Sequence, residues 1–307
     1  MGKPQISDLK LSRLMLGTVQ FGLPYGIANR SGQPSYETAR SIISAAHEGG
    51  VNCFDTAAGY GTSEEVIGRA LMELGLTDKV TVVTKVIHLP DELSATQTAK
   101  KIITKSVCNS RKCLRLETLA VCLFHKEENF RHVEVLLKLK EKGLVRRVGV
   151  SVMTPEACFR IITSGLVEAV QVPANVFDRR FIGAGVFREA KKRGVAVFVR
   201  SVYLQGLVFL SDEETPPELS AIIPVRRRIQ SIAHEARINV NELAVRYVFS
   251  IPGATSVLVG VESLEQMRQN LFLLSKGPLE ADLMKAVDEA VPDLPDSILM
   301  PNKWPNI

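Results

Sequence analysis

The stretch "NCFDTAAGYGTSEEVIG" (Asn52–Gly68) joins a short apolar run to an amphipathic helix pattern. The run from Val51 is mostly apolar up to a terminal carboxylate, Asp55, as expected for a strand that is covered on both faces. Glycines flank Tyr60, and from Ser63 onward apolar residues recur at the spacing of one buried helix face. The stretch therefore predicts a strand, a tight connection and a helix, which is the repeating unit of an α/β protein.

The same unit recurs along the whole 307-residue chain. Eight short β-branched runs alternate with amphipathic helical patterns, and this predicts a (β/α)8 TIM barrel formed by a single domain over residues 1–307. An open doubly wound sheet is the alternative, but eight strands are hard to arrange openly without a clear second domain. The predicted strands span residues 13–18, 51–55, 80–85, 119–125, 145–151, 169–175, 195–201 and 256–260.

Helix starts and interruptions of the repeat can also be located in the sequence. Ser35 and Thr154 have the position of N-caps, and Ser263 with Gln266 has the spacing of a capping box. Two segments do not follow the repeat, residues 204–224 and the tail beyond Gly277. Both are candidates to wall or cover a site.

Composition limits the classes of partner. The chain is 46% hydrophobic with a net charge of +5. No basic run exceeds three residues, and the cluster Arg226–Arg228 predicts only a solvated helix face, so we expect no nucleic-acid partner. Apolar runs fall short of the ~18 residues of a membrane span, and residues 1–17 lack a signal-peptide pattern. Five cysteines without a CxxC pair indicate a reduced, cytoplasmic protein with no metal site. The oligomeric state is left open.

Polar side chains follow the apolar runs at the ends that meet around the mouth of a barrel. Taken singly, each has an ordinary explanation, such as a helix N-cap or a solvated strand end. The coincidence of Asp, Lys and His on three successive strand ends, with Tyr on the loop between, indicates a site instead. The strand-end residues are Asp55, Lys85, His125, Ser151, Gln171, Asn175, Arg200 and Ser201.

The chemistry of Asp55, Tyr60, Lys85 and His125 suits carbonyl reduction. A phenol has a pKa near 10 in water, which is too high for efficient proton donation, and an adjacent ammonium lowers it. A buried carboxylate would keep that ammonium charged, while a histidine could orient a carbonyl group. None of these side chains supplies a hydride, so a nicotinamide cofactor is implied.

With these residues the chain resembles the aldo-keto reductase superfamily in its bacterial form. The motifs that carry the resemblance cover nearly the whole chain in order. They are "LGTVQFG" (16–22), "FDTAAGYG" (54–61), "VVTK" (82–85), "LFH" (123–125), "VGVS" (148–151), "VQVPANVFDRR" (170–180) and "LVGVESLEQMRQNL" (258–271).

The resemblance implies a (β/α)8 barrel and NADPH-dependent reduction of an aldehyde or ketone. Tyr60 would be the proton donor, Lys85 and Asp55 would tune it, and His125 would orient the carbonyl. Ser151 and Gln171 would hold the nicotinamide carboxamide. The full set implied to bind cofactor is Gly17, Thr18, Asp55, Ser151, Gln171, Arg200, Ser201, Tyr203, Gln205, Gly206, Gly260, Gln266 and Asn270.

Two departures from the family pattern concern the cofactor. Arg200 stands where many members stack an aromatic ring on the nicotinamide; a guanidinium can stack too, although Tyr203 could compete for the role. In the last loop only Arg268 offers a positive charge, and Glu262 lies where carboxylates would repel the 2′-phosphate. NADP is therefore the family default, and use of NAD stays open.

The substrate is a small carbonyl compound whose identity the sequence indicates only coarsely. The mixture of aromatic and polar residues on the expected pocket wall suits a sugar-like or hydroxylated compound. Two alternatives remain: the same fold working oxidatively as a sugar or polyol dehydrogenase, and a non-catalytic cofactor-binding regulatory subunit like the potassium-channel β-subunits. The intact tetrad argues against the latter. The expected substrate residues beyond the tetrad are Phe21, Tyr25, Asn175 and Trp304.

Overall fold

The computed structural model describes residues 9–90 and 96–304, apart from the side chain of Thr96. Its eight strands are parallel and close into a barrel in which β1 pairs with both β2 and β8. The predicted (β/α)8 barrel is confirmed, and each strand lies within its predicted run, shorter by up to two residues at an end. The strands are β1 (Leu14–Gly17), β2 (Cys53–Asp55), β3 (Thr81–Lys85), β4 (Leu119–Phe124), β5 (Val145–Ser151), β6 (Ala169–Pro173), β7 (Ala196–Arg200) and β8 (Ser256–Gly260).

Helices surround the barrel, with additional helices in the tail. The expectation of a single domain over 1–307 stays a prediction. Residues 1–8, 91–95 and 305–307 lie outside the described residues, and residues 1–8 belong to the N-terminal segment that was considered for a signal peptide. The helices are α1 (Tyr36–Glu48), α2 (Ser63–Glu73), α3 (Thr96–Leu114), α4 (Val133–Glu141), α5 (Pro155–Thr163), α6 (Arg180–Gly183), α7 (Val186–Arg193), α8 (Ile223–Glu235), α9 (Val240–Phe249), α10 (Leu264–Ser275), α11 (Ala281–Ala290) and α12 (Asp296–Leu299).

Side-chain caps begin the helices where the sequence predicts them. The Ser35 hydroxyl accepts the Thr38 N–H at 3.2 Å, and Thr154 caps α5 in the same way. Ser263 caps α10, but the predicted capping box forms only in part. The Gln266 side chain accepts the N–H of Glu262, the residue before the cap, at 2.7 Å. The loop after β8 is thereby tied to the first turn of α10.

The alternation of side chains along the strands builds two apolar layers. One layer packs between strands and helices, and a smaller cluster fills the barrel, where Leu9 and Leu11 pack against it. Because side chains alternate, the residue two positions past the last inner apolar residue also faces the barrel axis. This rule brings Asp55 after Cys53, Lys85 after Val83, His125 after Leu123 and Arg200 after Phe198 to one mouth.

The segment after β7 is held by a buried arginine. The prediction of a solvated arginine cluster is wrong for Arg226, which has no exposed surface. Its guanidinium donates to the Thr215 hydroxyl at 2.8 Å and to the Asp212 carboxylate at 2.6 Å, because burying the charge requires a counterion. Asp212 also accepts from the exposed Arg227 at 2.6 Å. Helix α8 therefore anchors the segment.

The tail packs on the outside of this region. Helix α11 contacts α8, and α12 contacts the short 3-10 helix Pro217–Ile222. Within residues 9–90 and 96–304, no helix combines the length and apolar character needed to cross a bilayer. Three of the five cysteines, Cys53, Cys122 and Cys158, are buried and serve as small apolar residues.

Candidate active site

A buried ion pair forms the centre of the mouth. The Lys85 ammonium lies 2.7 and 2.9 Å from the two carboxylate oxygens of Asp55, and it also donates to the Thr56 carbonyl at 3.0 Å. Burial by itself would lower the pKa of the Lys85 ammonium, but the charge of Asp55 and the nearby Tyr60 outweigh it, so the pKa is raised above its usual value. Lys85 is therefore held charged and in one position.

The Tyr60 phenol lies beside this ammonium. Its oxygen is 3.3 Å from Lys85 Nζ, and its ring centroid is 4.8 Å from the same atom. The loop that carries Tyr60 requires a glycine at Gly61, where φ is +51° and a Cβ would lie 2.2 Å from the Gly22 carbonyl oxygen. Gly59 meets no such limit, since the nearest atom to an added Cβ is a His88 ring carbon at 3.6 Å. Of the two flanking glycines, only Gly61 is required by the backbone.

His125 completes the predicted tetrad as a neutral imidazole. Its ring meets the Tyr60 ring edge-on at 5.5 Å and stacks on the His88 ring at 4.3 Å. Burial, reinforced by the positive charge of Lys85, lowers the pKa of His125 to about 2. The imidazole is thus uncharged at working pH and can hydrogen-bond a carbonyl oxygen next to the phenol.

The remaining contacts of Asp55 come from a residue predicted to bind cofactor. Gln171 donates its side-chain N–H to Asp55 Oδ1 at 2.7 Å, which leaves the amide oxygen as an acceptor. Ser151 pairs with Gln171 in the strand register and is also buried beneath the mouth. The role of both residues in binding a nicotinamide carboxamide stays a prediction.

The turn after β7 and helix α10 bring a second group of predicted cofactor residues together. Ser201 and Gln205 both have positive φ, 63° and 55°, which is strained backbone for residues other than glycine. The Asn175 amide donates to the Ser201 carbonyl at 2.9 Å, and the Tyr203 hydroxyl donates to Asn270 Oδ1 at 2.9 Å. These bonds hold the turn in its strained conformation and connect it to α10.

The seam between β1 and β8 presents bare backbone at the mouth. Gly17 and Gly260 are paired, and a Cβ on Gly260 would meet the Gln20 side chain at 2.7 Å. The side-chain oxygen of Gln20 is buried and has no hydrogen-bond partner among the described residues. A ledge without side chains, with an unpaired buried acceptor beside it, fits a bound cofactor. Thr18 instead donates its hydroxyl to the Asp55 carbonyl at 2.7 Å, which fixes the end of β2.

The four residues predicted for the substrate wall are placed differently from one another. Phe21 is buried in the core, and Asn175 is committed to the backbone of its own loop and of the β7 turn. The Trp304 indole donates to the Ile298 carbonyl within the tail at 3.0 Å. Tyr25 is 38% exposed, and its phenol lies near Gln205 and within reach of the charge of Arg200. Their substrate roles stay predictions, with Tyr25 the best placed.

Two residues near the tetrad were not singled out from the sequence. His88, three positions after Lys85, could have been found by reading on into the loop after β3. Glu64 is buried at the start of α2 and accepts a hydrogen bond from the hydroxyl of Thr84 at 2.6 Å. Thr84 directly precedes Lys85 in the chain. Burial raises the pKa of the Glu64 carboxyl. In the sequence it has the appearance of a solvated residue in a first helical turn.

Outside the mouth, a cavity of about 440 Å³ lies between α2 and α3 and is lined by Glu64 and Cys113 among others, but by no tetrad member. Across the described parts of the chain, no group of three or more His, Cys, Asp or Glu side chains is arranged to hold a metal ion. The cavity is therefore separate from the ion pair, phenol and imidazole at the mouth.

Comparison with known proteins was made on both sequence and structure. The model of the Aldo/keto reductase family matches residues 13–292. Among characterised relatives, the NADH-specific methylglyoxal reductase of Escherichia coli is 24% identical and aligns with 93% of this chain and 97% of its own length.

Two solved structures share the fold. The holo aldo-keto reductase AKR11C1 from Bacillus halodurans superposes with a TM-score of 0.76 at 20% identity, covering 99% of this chain and 100% of its own. The glycerol dehydrogenase AKR11B4 from Gluconobacter oxydans gives a TM-score of 0.72 at 25% identity, covering 100% and 98%.

Proposed function

The chain belongs to the aldo/keto reductase family, and on that premise we propose that it reduces a small aldehyde or ketone, sugar-like or hydroxylated, to an alcohol. The observation that carries the proposal is the contact of Lys85 with both the Asp55 carboxylate and the Tyr60 phenol, at 2.7 and 3.3 Å. A pure binding module would gain nothing from a buried charge aimed at a phenol.

In the proposed reaction Tyr60 donates the proton and His125 holds the substrate. The neutral His125 imidazole donates a hydrogen bond to the carbonyl oxygen, which orients and polarises the C=O bond. A bound nicotinamide cofactor would supply the hydride that the carbonyl carbon accepts. The Tyr60 hydroxyl gives its proton to the carbonyl oxygen, and the phenolate left behind is stabilised by the Lys85 ammonium.

The residues that would hold the cofactor line one continuous side of the mouth. They comprise the β1–β8 seam with Gly17 and Gly260, the β5–β6 pair, the strained β7 turn, and α10 through Asn270. At the α10 end, Glu262 is half-buried and Arg268 is exposed, and burial raises the pKa of the Glu262 carboxyl. A carboxylate there disfavours a 2′-phosphate and can accept a ribose hydroxyl. We therefore propose that NADH is accepted alongside the family default, NADPH.

Replacement of the proton donor tests the proposal. Tyr60→Phe should lower kcat about 10²–10⁴-fold on any reducible aldehyde, because the general acid is lost. Cofactor affinity, followed by quenching of protein fluorescence, should stay at the wild-type value. Tyr36→Phe, on α1 with its hydroxyl bonded to Glu73, serves as the matched control and should keep full activity. Full activity of Tyr60→Phe would refute the assigned role.

The reverse reaction is a second candidate, supported by the 25% identity to a glycerol dehydrogenase. The same residues serve both directions, since Tyr60 as phenolate would take the alcohol proton. A panel of aldehydes with NADPH and NADH, and of polyols with the oxidised cofactors, decides between them. Tight cofactor binding without turnover on any member of the panel would instead favour a regulatory subunit. The cytoplasmic location stays a prediction.

A further inference from the structure

The mouth contains one more cation than the carboxylates near it can neutralise. Arg200, at the inward-facing end of β7, is half-buried and lies within electrostatic reach of two carboxylates, Asp178 and Asp55. Asp178 is held by a bidentate contact with Arg180, at 2.9 and 2.8 Å, and Asp55 is held by Lys85. Each carboxylate thus already has its own cation.

The direct contacts of Arg200 are all to neutral groups. Its Nη1 donates to the Ser201 hydroxyl at 3.2 Å, and its Nη2 lies 3.5 Å from the Val152 carbonyl and 2.6 Å from the sulfur of Met153. Among the described residues, no Asp or Glu oxygen lies within 4 Å of the guanidinium. Burial without a counterion costs free energy unless another anion compensates the charge.

Arg200 faces the reacting groups. Arg200 follows the inward-facing Phe198 by two positions, so it faces the mouth that also contains Lys85 and His125, and its charge reaches Tyr60. The backbone next to Arg200 is held in place, because the Asn175 amide donates to the carbonyl of the next residue, Ser201, at 2.9 Å. An anion bound to Arg200 would therefore lie beside the position of a carbonyl held by Tyr60 and His125.

We propose that Arg200 binds an anionic group of the substrate, so that the preferred substrates are carbonyl compounds that also carry a carboxylate or a phosphate. This inference rests on the proposed function and names the substrate class of the same site. A guanidinium offers its N–H edge to such a group in bidentate geometry, and its flat face remains available to a neighbouring ring. The shared requirement is an oxyanion a few bonds from the reacting carbonyl.

The test compares pairs of related substrates in which one member carries an anionic group and the other is neutral. 4-Carboxybenzaldehyde is paired with methyl 4-formylbenzoate, and D-glyceraldehyde 3-phosphate with D-glyceraldehyde, so that the carboxylate and phosphate sources are separated. The wild type should prefer the anionic member of at least one pair in kcat/KM. Arg200→Gln should reduce that preference about 10- to 150-fold, as expected for loss of a hydrogen bond to a charged group. The preference is a ratio of two kcat/KM values, so a loss shared by both members of a pair does not change it.

Two further variants control for charge and for folding. Arg200→Lys keeps the positive charge but loses the two parallel N–H donors of the guanidinium, so it should retain part of the preference for the anionic substrate. Arg193→Gln, on α7 and paired with Glu189, should behave as the wild type. An equal loss on both members of each pair in Arg200→Gln would overturn the proposal and assign Arg200 to the cofactor, and so would the absence of any anion preference in the wild type.

A binding measurement separates failure of this inference from failure of the proposed function. Calorimetry with 4-carboxybenzyl alcohol and its methyl ester requires no turnover. The acid should bind the wild type at least 10-fold more tightly than it binds Arg200→Gln, while the ester should not distinguish the two proteins. Active enzyme with equal acid binding in both proteins refutes the anion site alone, whereas an inactive enzyme that still shows the difference refutes only the reaction.

Discussion

The two sides of the barrel mouth treat charge in opposite ways. On the β2–β3 side, the Lys85 ammonium is 1% exposed and bonded to a carboxylate, a carbonyl and a phenol. On the β6–β7 side, the Arg200 guanidinium contacts only neutral groups. A neutralised ion pair fixes the position of a reacting group. A charge without a counterion instead gains a favourable interaction when a ligand of opposite charge binds. The first arrangement suits chemistry and the second suits recognition.

The largest expected effect on stability comes from breaking the ion pair between Lys85 and Asp55. Lys85→Met should lower the free energy of unfolding by about 3–5 kcal/mol, because Asp55 is left buried without its cation. Arg200→Met should change it by less than about 1 kcal/mol, because no buried charge is left without its counterion. Urea denaturation of the cofactor-free proteins measures both. Equal losses in the two variants would show that the two sides do not differ.

A double variant sharpens the same measurement. Asp55→Leu combined with Lys85→Met removes both charges, so it should recover most of the stability that Lys85→Met loses. Failure to recover would mean that packing around the lysine stem, and not the unpaired carboxylate, accounts for the loss.

A smaller effect comes from His125, which lies between the two sides and is affected by both cations. Its folded-state pKa of about 2 is far below the usual value of about 6.5, so the unfolded chain binds a proton that the folded protein does not. Stability should therefore fall as pH drops below about 6.5, by about 2 kcal/mol at pH 5. His125→Asn should lack this loss. Denaturation curves at pH 7.5 and 5.0 compare the two proteins, and parallel losses would contradict the assignment.

The smallest expected effect concerns the rim, where Glu262 accepts from the Ser31 hydroxyl at 3.4 Å. Glu262→Gln should raise NADPH affinity about 3- to 10-fold at low salt and leave NADH affinity nearly unchanged, because a repulsive charge is removed from the 2′-phosphate. Glu265→Gln, at an exposed position of α10, is the matched control. An equal gain for both cofactors would place the adenosine end elsewhere.

The sequence was sufficient to predict the barrel and the meeting of Asp55, Tyr60, Lys85 and His125 at one mouth, while their catalytic roles stay predictions. Continuous apolar runs located the strands. The alternation of side chains then placed Asp55, Lys85 and His125 at one mouth, because all inward-facing side chains at the carboxyl ends of the parallel strands point to the same end of the barrel. The proximity of Lys85 to Tyr60 also followed from the sequence. Tyr60 lies in the loop directly after β2, which ends at Asp55, and Lys85 ends the neighbouring strand β3.

What could not be predicted depends on contacts between distant loops. The burial of Arg226 requires Asp212, which reaches it from an irregular segment whose path no periodic pattern describes. The stacking of His88 on His125 depends on the loop after β3, which has no repeat of its own. Similarly, the isolation of Arg200 becomes visible only when Asp178 is seen to be bound to Arg180.

The two-residue alternation of the strands also determines where the gene can gain or lose a codon. In a loop such as that after β3, one additional residue changes only the length of a surface connection. One additional residue within β7 would exchange the inward set Ala196, Phe198 and Arg200 for its neighbours, and a valine would then stand at the mouth. A scan of single-codon insertions and deletions should therefore show a narrow intolerant window at each of the eight strands, and the sequence of these windows along the gene would reproduce the order of the strands around the barrel.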